Sequence, residues 1–326
     1  MKAIVITRPG GPEVLEEVER PIPEPGPSQI RVRVRASALN RADLLQRRGL
    51  YPAPPGAPSD IPGLEYAGEV DAVGSAAGLW AVGSRVMGIV GGGSYSEYVC
   101  VHEREAIRVP HDLPLEEAAA IPEAFLTAYD ALIRQLDLQV GERVLIHAVG
   151  SGVGTAALQL AAAAGAITFG TSRTPEKLKA AEALGLEHGF DTSQEGWVEK
   201  VEAAAGGEGI NAVLDLVCGG FLPINLRLLA PRGRVILVGT MAGARAELDI
   251  RQVMQKRLKL MGTVLRSRPL EEKIALAREF SDVVLPLLNS GRIRPVVNRV
   301  YRFADVVEAH RAMEENRSFG KMVLTW

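Results

Sequence analysis

Residues 143–157 read Arg143-Val-Leu-Ile-His147-Ala-Val-Gly150-Ser151-Gly152-Val153-Gly154-Thr-Ala-Ala157. The apolar run Val-Leu-Ile predicts a buried strand, and the alanine- and leucine-rich stretch after the glycines predicts a helix over 152–164. Gly152, Gly154 and Ala157 fit the spacing G-x-G-x-x-A. Small residues there let backbone amides approach a pyrophosphate at the positive end of the helix. Alone the spacing is a weak signal, because any tight strand-to-helix turn can use it. Following a strand and opening a strand–helix–strand unit, it predicts a dinucleotide on Gly150, Ser151, Gly152 and Val153.

Downstream, strands and helices alternate. Strands are expected at 143–147, 166–170, 212–217, 234–239 and 258–264, with a short, weakly marked one near 187–191. Helices are expected at 152–164, 174–184, 195–205, 220–230 and 250–256. Continuous apolar strands such as AVLDLV indicate a parallel sheet covered on both faces. The fold class is α/β, a doubly wound Rossmann sheet. Upstream the pattern is β: Ile30, Val32 and Val34 alternate with Arg31, Arg33 and Arg35, and short strands are expected at 65–73, 85–90 and 95–101. After Arg266 come helical segments at 270–289 and 304–314 and a strand at 321–325. That tail is too short for a third domain. The expected organisation is therefore 1–121, 122–264, and a return segment 265–326 completing the first domain.

The end of the second sheet strand bears on the cofactor. An NAD site places Asp or Glu about 20 residues beyond the glycines to accept the ribose hydroxyls. Here the residues are Thr171-Ser172-Arg173-Thr174-Pro175-Glu176-Lys177. Ser172, Arg173 and Lys177 suit a 2′-phosphate, since cations sit poorly at a helix start unless an anion is bound there. NADPH is the expected cofactor.

Lys+Arg 37 against Asp+Glu 39 gives a net charge of −2, without the basic footprint of a nucleic-acid or anionic-membrane binder. Val144 to Ser172 carries no charged residue, yet its glycines and change of period argue for strands and a buried helix rather than a membrane span. Cys100 and Cys218 are too few for a Cys-rich zinc site, and reduced cytoplasmic thiols are expected. No His-Glu-x-x-His, Cys-x-x-Cys or G-x-S-x-G occurs. His147 is expected to cap or pack its strand rather than to catalyse. Hydride transfer needs donor and acceptor carbons in contact and a polar group to orient the acceptor, so the missing acid–base motifs fit a reductase better than a hydrolase.

The stretches ASALNRADLLQRRGLYPAPPG, GLEYAG, AAAIPEAFLTAYDAL, LIHAVGSGVGTAALQL and FGKMVL resemble the medium-chain dehydrogenase/reductase superfamily, specifically its zinc-free quinone oxidoreductase branch of the p53-inducible type. The resemblance spans nearly the whole chain. It implies a GroES-like β domain, a Rossmann domain and a cleft between them. Zinc-dependent relatives carry Cys, His and Cys ligands where this chain has Asn40, Leu64 and Glu123, so no metal is expected. Glu65 is expected to be structural, paired with a buried arginine.

By the same resemblance Tyr51, Asn40 and Ser151 are the candidate catalytic residues, with Tyr51 and Asn40 orienting the acceptor oxygen. Thr127 and the turn Val238-Gly239-Thr240-Met241 frame the nicotinamide. A tyrosine that often packs near the adenosine phosphate in relatives is replaced in the stretch Phe190-Asp191-Thr192. The implied activity is zinc-independent, NADPH-dependent hydride transfer to a small-molecule quinone or enone, by a homodimer with no nucleic-acid or membrane partner. An alkenal or enoyl thioester reductase, or a non-catalytic NADPH-binding sensor or structural protein, are the alternatives.

Overall fold

A computed structural model describes residues 1–326, which divide into two units, Met1–Leu126 with Leu265–Trp326, and Thr127–Val264.

In the second unit, six strands pair in the order His188–Asp191, Ile167–Ser172, Arg143–Ile146, Ile210–Asp215, Leu229–Leu237 and Lys259–Gly262. Every pairing is parallel. In chain order this is 3-2-1-4-5-6, the doubly wound order whose reversal lies between the first and fourth strands. Val144, Leu145, Ile146, Val213, Leu214, Val235 and Ile236 are wholly buried, as strands covered on both faces require. Phe169, Val213 and Val235 share one cluster with Leu222 and Leu226 of the helix Phe221–Leu228. That helix was expected to reach 230. Leu229 is already extended, and Pro231 disfavours helical backbone in the residue before it, so Leu229 and Ala230 open the next strand instead.

In the first unit the larger sheet runs Val297–Arg302, Lys321–Thr325, Gln29–Ala38, Glu65–Val73, Arg85–Ile89 and Ile107–Arg108, with Tyr98–His102 also pairing with Gln29–Ala38. Strand Lys321–Thr325 lies antiparallel to Gln29–Ala38 with Val323 opposite Ala38, so the return segment enters the N-terminal sheet. The alternation of Ile30, Val32 and Val34 is buried against Tyr66, Val70 and Val86. Several elements were not expected: the hairpin Lys2–Ile6 with Leu15–Glu19, the helix Arg41–Arg47 and the strand Val297–Arg302. The expected strand 95–101 begins at Tyr98, because Tyr95 turns wholly into the core. The expected helix 270–289 is two helices, Leu270–Val283 and Leu285–Asn289, with Pro286 in the first turn of the second, where a missing N–H costs nothing. No helix is long and apolar enough to cross a membrane.

Candidate functional site

In the first unit Asn40 lies in a cluster of buried charges. Asn40 precedes the helix Arg41–Arg47, and its backbone N–H donates to Asp43 Oδ2 at 2.7 Å. Asp43 Oδ1 accepts from Gly63 N at 3.1 Å. Burial pushes the Asp43 carboxyl up to about 6, against these N–H groups and the charges of Lys321 and Arg266, so it remains an anion at neutral pH. The Asn40 amide is fully engaged. Nδ2 donates to Glu65 Oε1 at 2.9 Å and to the Ala38 carbonyl at 3.2 Å, while Oδ1 accepts from Lys321 Nζ at 2.6 Å. Both amide hydrogens are thus used inside the chain, which suits Asn40 to positioning rather than to donating to an acceptor.

Glu65 is structural, but its cation is Lys321 and not an arginine. Nζ lies 2.6 Å from Glu65 Oε1 and donates to the Leu39 carbonyl at 2.8 Å. Glu65 Oε2 accepts from the backbone of Glu123 at 2.8 Å. Glu65 is wholly buried and Lys321 4% exposed, so the pair is held by complete hydrogen bonding rather than by solvent. The only sequence signal for Lys321 was a lysine opening an otherwise apolar strand, Lys-Met-Val-Leu.

Tyr51 belongs to the proline-rich loop, and Arg266 holds it. The guanidinium donates to the carbonyls of Gly91 at 2.7 Å and Tyr51 at 3.2 Å and to Gln46 Oε1 at 2.5 Å, with its carbon 4.9 Å from the centre of the Tyr51 ring. The Tyr51 hydroxyl has no partner in the chain and its side chain is partly exposed, so it is free to donate. Burial raises its pKa, partly offset by Arg266 and reinforced by the charge of Glu123. Leu64 is a core residue at 1% exposure.

In the second unit the glycine turn opens a serine-capped helix. Ser151 caps the helix Gly152–Ala163, its Oγ accepting from Gly154 N at 3.0 Å. The N–H groups of Gly152 and Val153 lie in the unpaired first turn, at the positive end of the helix. A Cβ on Gly154 would lie 2.4 Å from the Ala148 carbonyl oxygen, so only glycine permits this helix-to-strand approach. A Cβ on Gly150 would meet Lys177 Cδ at 2.7 Å, which shows the Lys177 stem crossing the turn. Ser172 Oγ accepts from Thr174 N at 3.1 Å, and Arg173 is exposed with no partner in the chain. Thr127 is buried at 6% exposure. The turn 238–241 is anchored by Val238 N on the Asp215 carbonyl at 2.9 Å, and a Cβ on Gly239 would crowd the Leu216 carbonyl at 2.8 Å.

Sequence reading missed a buried chain beneath this surface. His147 Nδ1 pairs with Thr171 Oγ1 at 2.8 Å and Nε2 with Asn225 Oδ1 at 2.7 Å. Asn225 Nδ2 donates to Asp215 Oδ2 at 2.8 Å, and Asp215 Oδ1 accepts from Val217 N and Cys218 N, each at 2.8 Å. An amide oxygen on Nε2 requires the proton there, leaving Nδ1 to accept from Thr171. Burial lowers the His147 pKa and keeps the ring neutral. The chain ties together the ends of the first, second and fourth strands. Ala148 and Cys218, beyond two of those ends, have left-handed φ of 52° and 56°, strain of the kind that accompanies ligand sites. No three His, Cys, Asp or Glu side chains are grouped so as to hold a metal ion.

Two family models match, "Alcohol dehydrogenase GroES-like domain" over residues 26–111 and "Zinc-binding dehydrogenase" over 152–282. A quinone oxidoreductase of Pseudomonas aeruginosa is 35% identical over 99% of this chain and 99% of its own. Among solved structures, an NAD-dependent alcohol dehydrogenase is 33% identical with a TM-score of 0.88, over 100% of both chains. A mycobacterial protein in complex with NADPH is 29% identical with a TM-score of 0.89, again over 100% of both chains. The chain therefore belongs to the medium-chain dehydrogenase/reductase superfamily, in its quinone oxidoreductase branch. It is an oxidoreductase built on a Rossmann sheet and a GroES-like sheet.

Proposed function

We propose that this chain is a zinc-independent, NADPH-dependent reductase that transfers hydride to quinones or related conjugated carbonyls. When bound, the nicotinamide supplies the hydride. The first turn of the helix Gly152–Ala163 receives the pyrophosphate, with Gly150 and Ser151 in the turn before it, and Thr127 and the turn Val238-Gly239-Thr240-Met241 serve the nicotinamide end. An NAD-dependent neighbour and one in complex with NADPH share the fold almost equally, so the choice of cofactor rests on Ser172, Arg173 and Lys177. The exposed, unpartnered Arg173 at the strand end is the observation that carries it.

The acceptor half is carried by the first unit. The Tyr51 hydroxyl, unpartnered and fixed through Arg266, orients the acceptor oxygen, and Asn40 positions the surrounding backbone. Zinc independence is supported by the donor chemistry. Glu65 Oε1 and Asn40 Oδ1 each sit 2.6 Å from an ammonium, and an amide and a leucine stand where thiolate and imidazole ligands would be needed. A small-molecule acceptor and a homodimer complete the reading. Following NADPH and NADH absorbance against a panel of quinones and enones tests it. NADPH oxidation with a quinone is the expected result, and tight NADPH binding with no acceptor turned over would refute it.

A further inference from the structure

We propose that Glu123 is the proton donor of the reduction, entering each turnover as a neutral carboxylic acid close to Tyr51. The proposal rests on the reductase reading above. Around Glu123 stand Glu65 and Lys321 from two sheet strands, Asp43 from the helix Arg41–Arg47, and Arg266 and Tyr51 from loops. Two cations face three carboxyl groups. Lys321 is engaged by Glu65, Asn40 and the Leu39 carbonyl, and Arg266 by Gln46 and the carbonyls of Gly91 and Tyr51. Asp43 is satisfied by two backbone N–H groups and Glu65 by Lys321, Asn40 and a third N–H. The Glu123 side chain alone has no hydrogen-bond or ion-pair partner, although its own backbone N–H is held by Glu65. Two anions balance the two cations, and a third would be uncompensated. A carboxyl in that position stays protonated, and burial together with the negative charge of Glu65 raises Glu123 to about 8, against the opposing charge of Lys321.

Protonated, Glu123 has an O–H to give. A quinone or enone that has gained hydride would carry a negatively charged oxygen. The Glu123 O–H bond breaks, its proton forms a new O–H bond on that oxygen, and Glu123 remains as carboxylate. Water returns the proton between turnovers, and no further oxidant or reductant enters. Tyr51 orients the same oxygen without having to surrender its own proton, which its raised pKa makes costly.

The test uses the full-length protein and Glu123→Gln, which keeps the shape of the neutral acid. Without cofactor, infrared spectra of the wild type should show a carboxylic acid C=O band that titrates near pH 8 and is missing from the variant. The melting temperature of Glu123→Gln should equal that of wild type below about pH 4 and exceed it at pH 9. With NADPH and a quinone, the variant's kcat should fall on the order of a hundredfold. Its alkaline limb should vanish, with NADPH affinity by fluorescence titration unchanged, and Glu123→Asp should recover part of kcat and the limb. An active wild type with no titrating band, or a variant keeping wild-type kcat and pH profile, overturns the donor role. A wild type whose band titrates but which oxidises NADPH with no acceptor overturns the reductase reading, and the donor role with it.

Discussion

Lys321→Met tests the architecture of the buried cluster around Glu65 most directly. Methionine preserves the length and apolar stem of the side chain but removes the ammonium. Three acceptors lose their donor at once: Glu65 Oε1 at 2.6 Å, Asn40 Oδ1 at 2.6 Å and the Leu39 carbonyl at 2.8 Å. Glu65 has no access to water, so its charge keeps only the hydrogen bonds from Asn40 Nδ2 and Glu123 N. Breaking a buried pair by deleting one partner costs about 3–5 kcal/mol, chiefly because the other charge is stranded. At roughly 2–4 °C per kcal/mol, the melting temperature of the first unit should drop by about 10 °C. Glu65→Gln should cost less, and Lys321→Met with Glu65→Gln together should be more stable than the sum of the single losses by about 2 kcal/mol. Scanning calorimetry of the four proteins at one pH closes the cycle. Losses that simply add, within about 0.5 kcal/mol, would show that the ammonium and the carboxylate do not support each other.

Arg173→Ala should weaken NADPH binding by about tenfold to a hundredfold in a fluorescence titration, since it removes one charge-assisted contact worth roughly 1.5–3 kcal/mol, and should leave NADH nearly unchanged. The loss should shrink as salt rises, because Arg173 is exposed; equal loss for both cofactors would disprove the 2′-phosphate assignment. Tyr51→Phe should lower kcat with quinones by about tenfold or more at unchanged NADPH affinity, and unaltered steady-state kinetics would reduce Tyr51 to a wall residue. The strand Lys259–Gly262 ends its sheet beside Ile250, Met254 and Val264, each more than half exposed. Natural proteins cover such edges, so sedimentation at micromolar concentration should give twice 34.9 kDa, and a monomer would contradict the homodimer. Between about pH 4.5 and 8, folded Glu123 holds a proton that the unfolded chain has released, so its contribution to stability falls as pH rises through that window. Glu123→Gln should remove that slope, a gain of about 2 kcal/mol at pH 9 after discounting partial solvent access; an unchanged slope in urea titrations would refute it.

What could be read from the sequence followed from how local each interaction is. Val144-Leu-Ile, the glycine turn and the helix after it are contiguous, and their period and composition specify the unit without help from elsewhere. The parallel sheet followed from a repetition of such units. Lys2–Ile6 and Val297–Arg302 were harder. Their burial patterns do not alternate cleanly, and each is a strand only because a partner lies beside it. Register between distant segments, such as Val323 opposite Ala38, leaves no mark in either segment alone.

The site divides the same way, and the division explains the one wrong partner. Ser151, Ser172 and Lys177 are proposed from the turn they surround, a contiguous stretch whose local geometry needs no distant partner. Asn40 and Glu65 were recognised individually, but the cation between them lies 281 residues from Asn40 along the chain. Arginine was the reasonable expectation, because it is the usual partner of a buried carboxylate. The geometry instead needs a compact donor that reaches three oxygens from a strand end, one of them a backbone carbonyl, and a planar guanidinium fork cannot point its N–H groups that way. An ammonium can. Because Lys321 opens the strand that carries the return segment into the N-terminal sheet, Glu65 and Asn40 acquire their donor only when that strand docks. The Glu65–Asn40 cluster is therefore completed by the last strand of the chain, and the charge balance that leaves Glu123 as the odd carboxyl exists only in the closed sheet.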